Sequence, residues 1–212
     1  MTGLVPVDLP TPAALRGRWA AFAAVVAARG WADMCCADGP VWHYDDGGGN
    51  WVELHHAGGG RAVLVGHDHE YSDTYFGPAA EASGEEETDL LAGAPDWWAP
   101  PVQAQVAADQ WVGFAYGFDG TSWARVPYDA ADGFVQVGLP ACDDDRCRDL
   151  IVEFTHDAPG LAGRPADPAA VDALMAADAD VTPALVAAVV GATGWDTAAG
   201  VAAARRFLDG AG

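Results

Sequence analysis

Apolar and polar positions alternate with two different periods along this chain. Leu15, Trp19, Phe22 and Val26 recur at helical spacing and form one apolar stripe. Thr11 suits the N-cap, Pro12 the first helical position and Gly30 the stop, so the pattern predicts a helix over 12–29. Two-residue alternation follows over about 41–45, 50–56 and 61–67, and again over about 112–117, 122–128 and 133–139. Gly- and Asp-rich turns separate these runs, which is the signature of hairpins. Asp167-Pro168 and Thr182-Pro183 then open two helices marked by Val171, Leu174 and Met175 and by Leu185, Val186, Val189 and Val190. Asp196 or Thr197 can cap a last helix carrying Val201, Phe207 and Leu208. The predicted class is α+β: an antiparallel meander, an N-terminal helix and C-terminal helices packed on the sheet.

The two meanders nearly repeat. Trp42–Gly66 aligns without gaps on Phe114–Gly138 at an offset of 72, and six of the 25 pairs are identical. These are Tyr44/Tyr116, Gly48/Gly120, Trp51/Trp123, Val63/Val135, Val65/Val137 and Gly66/Gly138. Duplication and chance convergence both account for the match. In the inferred register, Trp51 lies opposite Gly66 and Trp123 opposite Gly138. One continuous sheet and two facing sheets are both compatible with it. The expected organisation is an α+β domain over 1–160, followed by a helical segment over 161–212. Between the copies, 78–87 reads as a mobile, acidic surface loop, Trp97-Trp98 as an anchor onto the core, and 151–154 as an added strand.

Charge narrows the partners. The net charge is −21, all ten basic residues are arginine, and isoleucine occurs once. Such a bias points to a high-GC, actinobacterial genome. The negative field disfavours nucleic acid and anionic membrane surfaces and favours a basic protein partner. The acidic runs Glu85-Glu86-Glu87 and Asp143-Asp144-Asp145 are the candidate contacts with it. No signal-peptide pattern is present, and no window reaches the about 18 uncharged apolar residues of a membrane span. The protein is therefore expected to be soluble and cytoplasmic, with Cys35, Cys36, Cys142 and Cys147 as free thiols. Oligomeric state has no sequence signature here.

Five of the six histidines fall at His43, His55, His56, His67 and His69. None has a histidine counterpart in the second copy. With four-residue turns at 46–49 and 57–60, His43, Asp45, Asn50, His67 and His69 gather at one end of one strand face. Imidazoles and a carboxylate are ligands for a divalent metal such as zinc. A metal-dependent hydrolase using His43, His67, His69 and Asp45 is thus the alternative to a cofactor-free binding protein; a small-molecule sensor is a third reading. Gly66-His67-Asp68-His69 is similar to the closing G-H-x-H of calcineurin-like metallophosphatases, but the family's D-x-H, G-D-x-x-D and G-N-H-E elements are missing. There is no H-E-x-x-H, G-x-S-x-G or P-loop motif.

The run from Gly60 to Tyr71, GRAVLVGHDHEY, resembles a segment of actinobacterial proteins with no assigned activity. In outline, an N-terminal helix feeding an antiparallel meander in an acidic chain is similar to the SUKH immunity-type proteins. That likeness is one of arrangement and carries over no functional residue. The expectation of a binding role, immunity-like or regulatory, rests on the lack of a complete catalytic constellation and on the charge of −21.

Overall fold

The computed structural model describes residues 3–178 and 180–208. These form seven strands and eight α-helices. The strands are β1 (Val5–Val7), β2 (Cys35–Asp38), β3 (Val41–Asp45), β4 (Trp51–Gly58), β5 (Arg61–His67), β6 (Phe114–Phe118) and β7 (Trp123–Arg125). The helices are α1 (Pro12–Arg29), α2 (Pro78–Ser83), α3 (Ala99–Ala107), α4 (Phe134–Val137), α5 (Asp144–Phe154), α6 (Pro168–Ala176), α7 (Pro183–Val190) and α8 (Thr197–Arg205). The class is α+β with antiparallel strands, as the hydrophobic pattern predicts. The chain folds as two compact units, 3–11 with 45–138 and 12–44 with 139–208. The three boundaries fall after residues 11, 44 and 138.

The first unit is a sheet in the order β1-β7-β6-β5-β4. Its hairpin β4–β5 departs from the expected register. Gly58 pairs with Arg61, and Ala57 is left as a bulge between His56 and Gly58. The turn is therefore the two glycines Gly59 and Gly60, with φ of 62° and 74°, a conformation that suits a two-residue hairpin loop. The extra residue moves every upstream pair by one. Trp51 lies opposite His67, and Val52 opposite Gly66. A one-residue shift exchanges the faces of the sheet.

One face of this sheet carries Trp51, Val65 and Ala115, packed with Leu90, Val102 and Val112. Trp98 is fully buried and lies so close to Gly117 that a Cβ there would sit 2.0 Å from the indole. Trp97-Trp98 does anchor onto the core. The tight contact required at a glycine is thus Trp98 on Gly117, not Trp51 on Gly66. At Gly66 the room is taken by the Phe114 ring and the Trp51 carbonyl.

The second meander lacks its third strand. Residues 134–137 form the short helix α4, bounded by Gly133 and Gly138 in the left-handed region. Phe134 turns in to meet Phe114 and Tyr116, each ring 5.2 Å away, and this packing overrides the β-propensity of Phe-Val-Gln-Val. Val63 and Val135 match in sequence, yet Val63 is buried in a strand and Val135 is 76% exposed on a helix. The near-repeat is a likeness of sequence that does not extend to three strands.

In the second unit, β2 and β3 pair as a hairpin, with Cys35 opposite Tyr44 and Cys36 opposite His43. Helix α1 is buried nearly all round from Ala20 to Ala28, so its stripe is only part of its packed surface. Alanines on the other sides let neighbouring helices approach: a Cβ at Gly200 of α8 would lie 2.5 Å from the Ala24 carbonyl oxygen. Trp19, Trp42 and Phe207 form a chain of ring contacts at 5.6 Å and 5.3 Å. This joins α1 and the C-terminal end to the hairpin. Asp167, Thr182 and Asp196 cap α6, α7 and α8 as expected. Residues 151–154 are the end of α5 and not a strand. Cys147 and Ile151, four apart, are buried, while Asp149 lies on the exposed side, as helical spacing requires.

Candidate functional site

The first unit contains a cleft of about 470 Å³ whose walls come from two distant stretches of chain. One wall is Asp73, Tyr75 and 85–89; the other is 127–130. Backbone contacts bring the walls together. Ser72 bridges Asp132, the Asp73 N–H donates to the Ala131 carbonyl at 2.7 Å, and the Ser72 hydroxyl donates to the Asp132 carbonyl at 2.8 Å. The loop carrying α2 is closed at its base by the Thr88 N–H on the Tyr75 carbonyl, 2.8 Å. Gly84 ends α2 in the left-handed conformation, and the Glu87 carboxylate accepts from the Gly77 N–H at 3.1 Å. The acidic loop is thus a folded, tied segment with Ala79 and Ala80 buried.

Six exposed carboxylates line the cleft: Asp73, Glu85, Glu86, Glu87, Asp89 and Asp129. Among the described residues, none of the six forms an ion pair with an arginine or a histidine. The Tyr128 hydroxyl donates to Asp132 at 2.7 Å, and Arg125 stacks on the Tyr128 ring at 4.0 Å while donating to the Tyr128 carbonyl. Tyr116 also donates to Asp132. Burial first, and then the Asp132 charge, push both phenols well above the usual tyrosine range. They stay protonated as fixed donors, and the Tyr128 wall is held rigid.

Charge is unevenly shared. The first unit carries seventeen carboxylates against two arginines, net −15; the second carries fourteen against eight, net −6. Expected contact residues therefore separate into two kinds. Glu85, Glu86 and Glu87 lie in the cleft. Asp143, Asp144 and Asp145 belong to the second unit and have intrachain roles. Asp143 caps α5 by accepting from the Arg146 N–H at 2.8 Å, Asp144 pairs with Arg18, and Asp145 pairs with Arg148 at 2.5 Å. Arg148 also reaches Asp172 of α6 at 2.6 Å. The run reads as an acidic patch in sequence and works as a helix start in the fold.

The histidines do not assemble as expected. Among the described residues, no three His, Cys, Asp or Glu side chains are grouped so as to hold a metal ion. The bulge at Ala57 explains part of this: His67 shares a face with Trp51, Glu53 and His55, rather than with Asn50. Its ring packs edge-on against Trp111 at 6.0 Å, and its buried Nδ1 has no hydrogen-bond partner. Burial lowers its pKa below the usual 6.5. His69 lies beyond β5, where its backbone N–H and Nδ1 meet the Asn50 side-chain oxygen at 2.9 Å and 3.0 Å. Asp45 accepts from the Gly47 N–H at 2.6 Å, a turn bond. His43 sits in β3, and its carbonyl accepts from the Trp19 indole at 3.2 Å. Asp68, between the two histidines, is buried and accepts from the Glu70 and Tyr71 N–H groups at 2.9 Å and 2.8 Å.

All four cysteines are free thiols. Cys35 and Cys147 are buried, and their thiols donate to the adjacent Trp19 and Arg18 carbonyls of α1. Burial raises the pKa of Cys35, and pushes Cys142 up to about 11 and Cys147 up to about 12. Thiols so disposed are poor nucleophiles.

No family model matches the chain, and no curated protein or solved structure matches it significantly. Asp73, Tyr75, Asp89, Tyr128 and Asp129 were not marked by sequence reasoning. Their only local signal is the excess of acidic residues on either side of 110. The Ser72–Asp132 bridge that joins them spans sixty residues and has no motif.

Proposed function

We propose that this is a non-enzymatic acidic binding protein that recognises a basic protein partner, in the manner of an immunity or regulatory protein. The supporting observation is the cleft, in which six carboxylates lack an intrachain cation in the unit that carries most of the net charge. Carboxylates left without a cation on a preorganised wall lower the cost of receiving an incoming guanidinium or ammonium group. Their dispersal along both walls suits an extended cationic segment better than a single ion. Half-buried Tyr75 adds an aromatic face over which a cation can lie.

Calorimetric titration with an arginine-rich peptide tests the reading. Saturable binding is expected, weakening as salt screens the charges. Glu85→Gln/Glu86→Gln/Glu87→Gln should weaken it about threefold or more, at roughly 0.2–1 kcal/mol for each exposed charge pair. An equal affinity for an aspartate-rich control peptide, or no binding at low salt, would rule this function out.

A further inference from the structure

Beside the acidic cleft lies a smaller apolar groove with no place in the reading above. It holds about 100 Å³ and is lined by Phe76, Pro78, Ala79, Ala82, Val106 and Trp111. Trp111 is 45% exposed and Trp31 43%, whereas Trp19, Trp42, Trp98 and Trp123 are almost completely buried; of the two exposed indoles, Trp111 is the one that lines a groove. Cleft and groove adjoin. Tyr75 lines the cleft, and its ring meets the Trp111 ring edge-on at 6.5 Å. One loop builds a wall of both: α2 faces the groove, and the acidic residues just after α2 face the cleft. Asp109 stands at the groove's own rim, so even here the surrounding charge is negative.

We propose that the Trp111 groove seats an apolar side chain of the same basic segment whose cationic residues enter the cleft. The partner's binding segment would then be amphipathic, with arginine or lysine residues next to one leucine, methionine or aromatic residue. Charge complementarity selects this occupant: an acidic or neutral apolar segment would meet unpaired carboxylates beside the groove. Half-exposed aromatic rings in shallow pockets, ringed by polar residues, are the usual anchors of protein interfaces. This inference rests on the cationic-partner reading and adds the apolar anchor.

Two synthetic peptides separate the ideas: an arginine–glycine peptide, and the same peptide with one leucine. Fluorescence anisotropy of labelled peptides reads their affinities. The leucine peptide is expected to bind about tenfold more tightly, the effect of burying one such side chain. Trp111→Ala should remove that advantage and leave the arginine–glycine peptide unchanged. Ala82→Phe, an exposed position on the groove wall, should fill the groove with the same result and without touching the core. Equal affinities for the two peptides, or an advantage that survives both variants, would overturn the anchor and leave the acidic cleft standing. Binding of neither peptide would defeat both readings.

Discussion

At the scale of single residues, His67 is the most informative. Sequence placed it among metal ligands; the fold places it half-buried against Trp111, its Nδ1 without a partner. Burial makes the charged ring costly, and the nearby Asp68 carboxylate offsets this only in part. The folded protein therefore binds fewer protons at this ring than the unfolded chain does. The associated stability is full above the usual 6.5 and is lost as pH falls through the lowered folded value. Urea midpoints measured between about pH 7.5 and 5.5, above the carboxylate range, should fall with pH. His67→Gln should flatten that slope. An unchanged slope in the variant would assign the pH dependence to other groups.

At the scale of elements, the ends of helices were more legible than the edges of strands. Cap residues act through their own backbone neighbours, so Thr182, Asp167 and Asp196 announce their roles locally. Asp196 accepts from the Ala198 and Ala199 N–H groups, both at 3.0 Å, and starts the helix that crosses α1 at Gly200. Asp196→Ala should cost about 1 kcal/mol, seen as a melting midpoint lower by about 2–4 °C for a chain of this size. A change near zero would mean that packing on α1 alone starts α8. Strands are less legible where tertiary contacts override local preference. Phe-Val-Gln-Val has strand character, yet the Phe134 ring contacts and the two bounding glycines wind it into α4. The bulge at Ala57 was equally silent, because three successive glycines permit several turn lengths.

At the scale of the whole molecule, charge is the dominant fact. A formal charge of −21 stresses any compact state by self-repulsion. Most of it lies in one unit, where only Arg61 and Arg125 offset seventeen carboxylates. Screening extends over about 10 Å at 0.1 M salt, so raising ionic strength from low values should relieve this repulsion. The thermal midpoint is expected to rise with sodium chloride, and to rise less in the Glu85→Gln/Glu86→Gln/Glu87→Gln protein. Salt independence would mean that the carboxylates are too far apart to repel appreciably. No helix among the described residues is long and apolar enough to cross a membrane.

The sequence alone determined the class of fold, the position of α1 and the C-terminal helices, the burial of Trp98 and the acidic character of the surface. Each of these rests on short-range periodicity, on caps, or on composition, which act within a few residues. Tertiary structure alone decided the register of β4–β5, the loss of a third strand in the second meander, and the sorting of the acidic runs. Glu85–Glu87 and Asp143–Asp145 look alike in the chain. One run lines an open cleft because Ser72 and Asp132 meet across sixty residues; in the other, Asp143 caps α5, Asp145 pairs with Arg148 one turn on in the same helix, and Asp144 meets Arg18, which packing brings from α1. Charge is written residue by residue, but whether a charge is free to bind depends on which cation the fold places beside it.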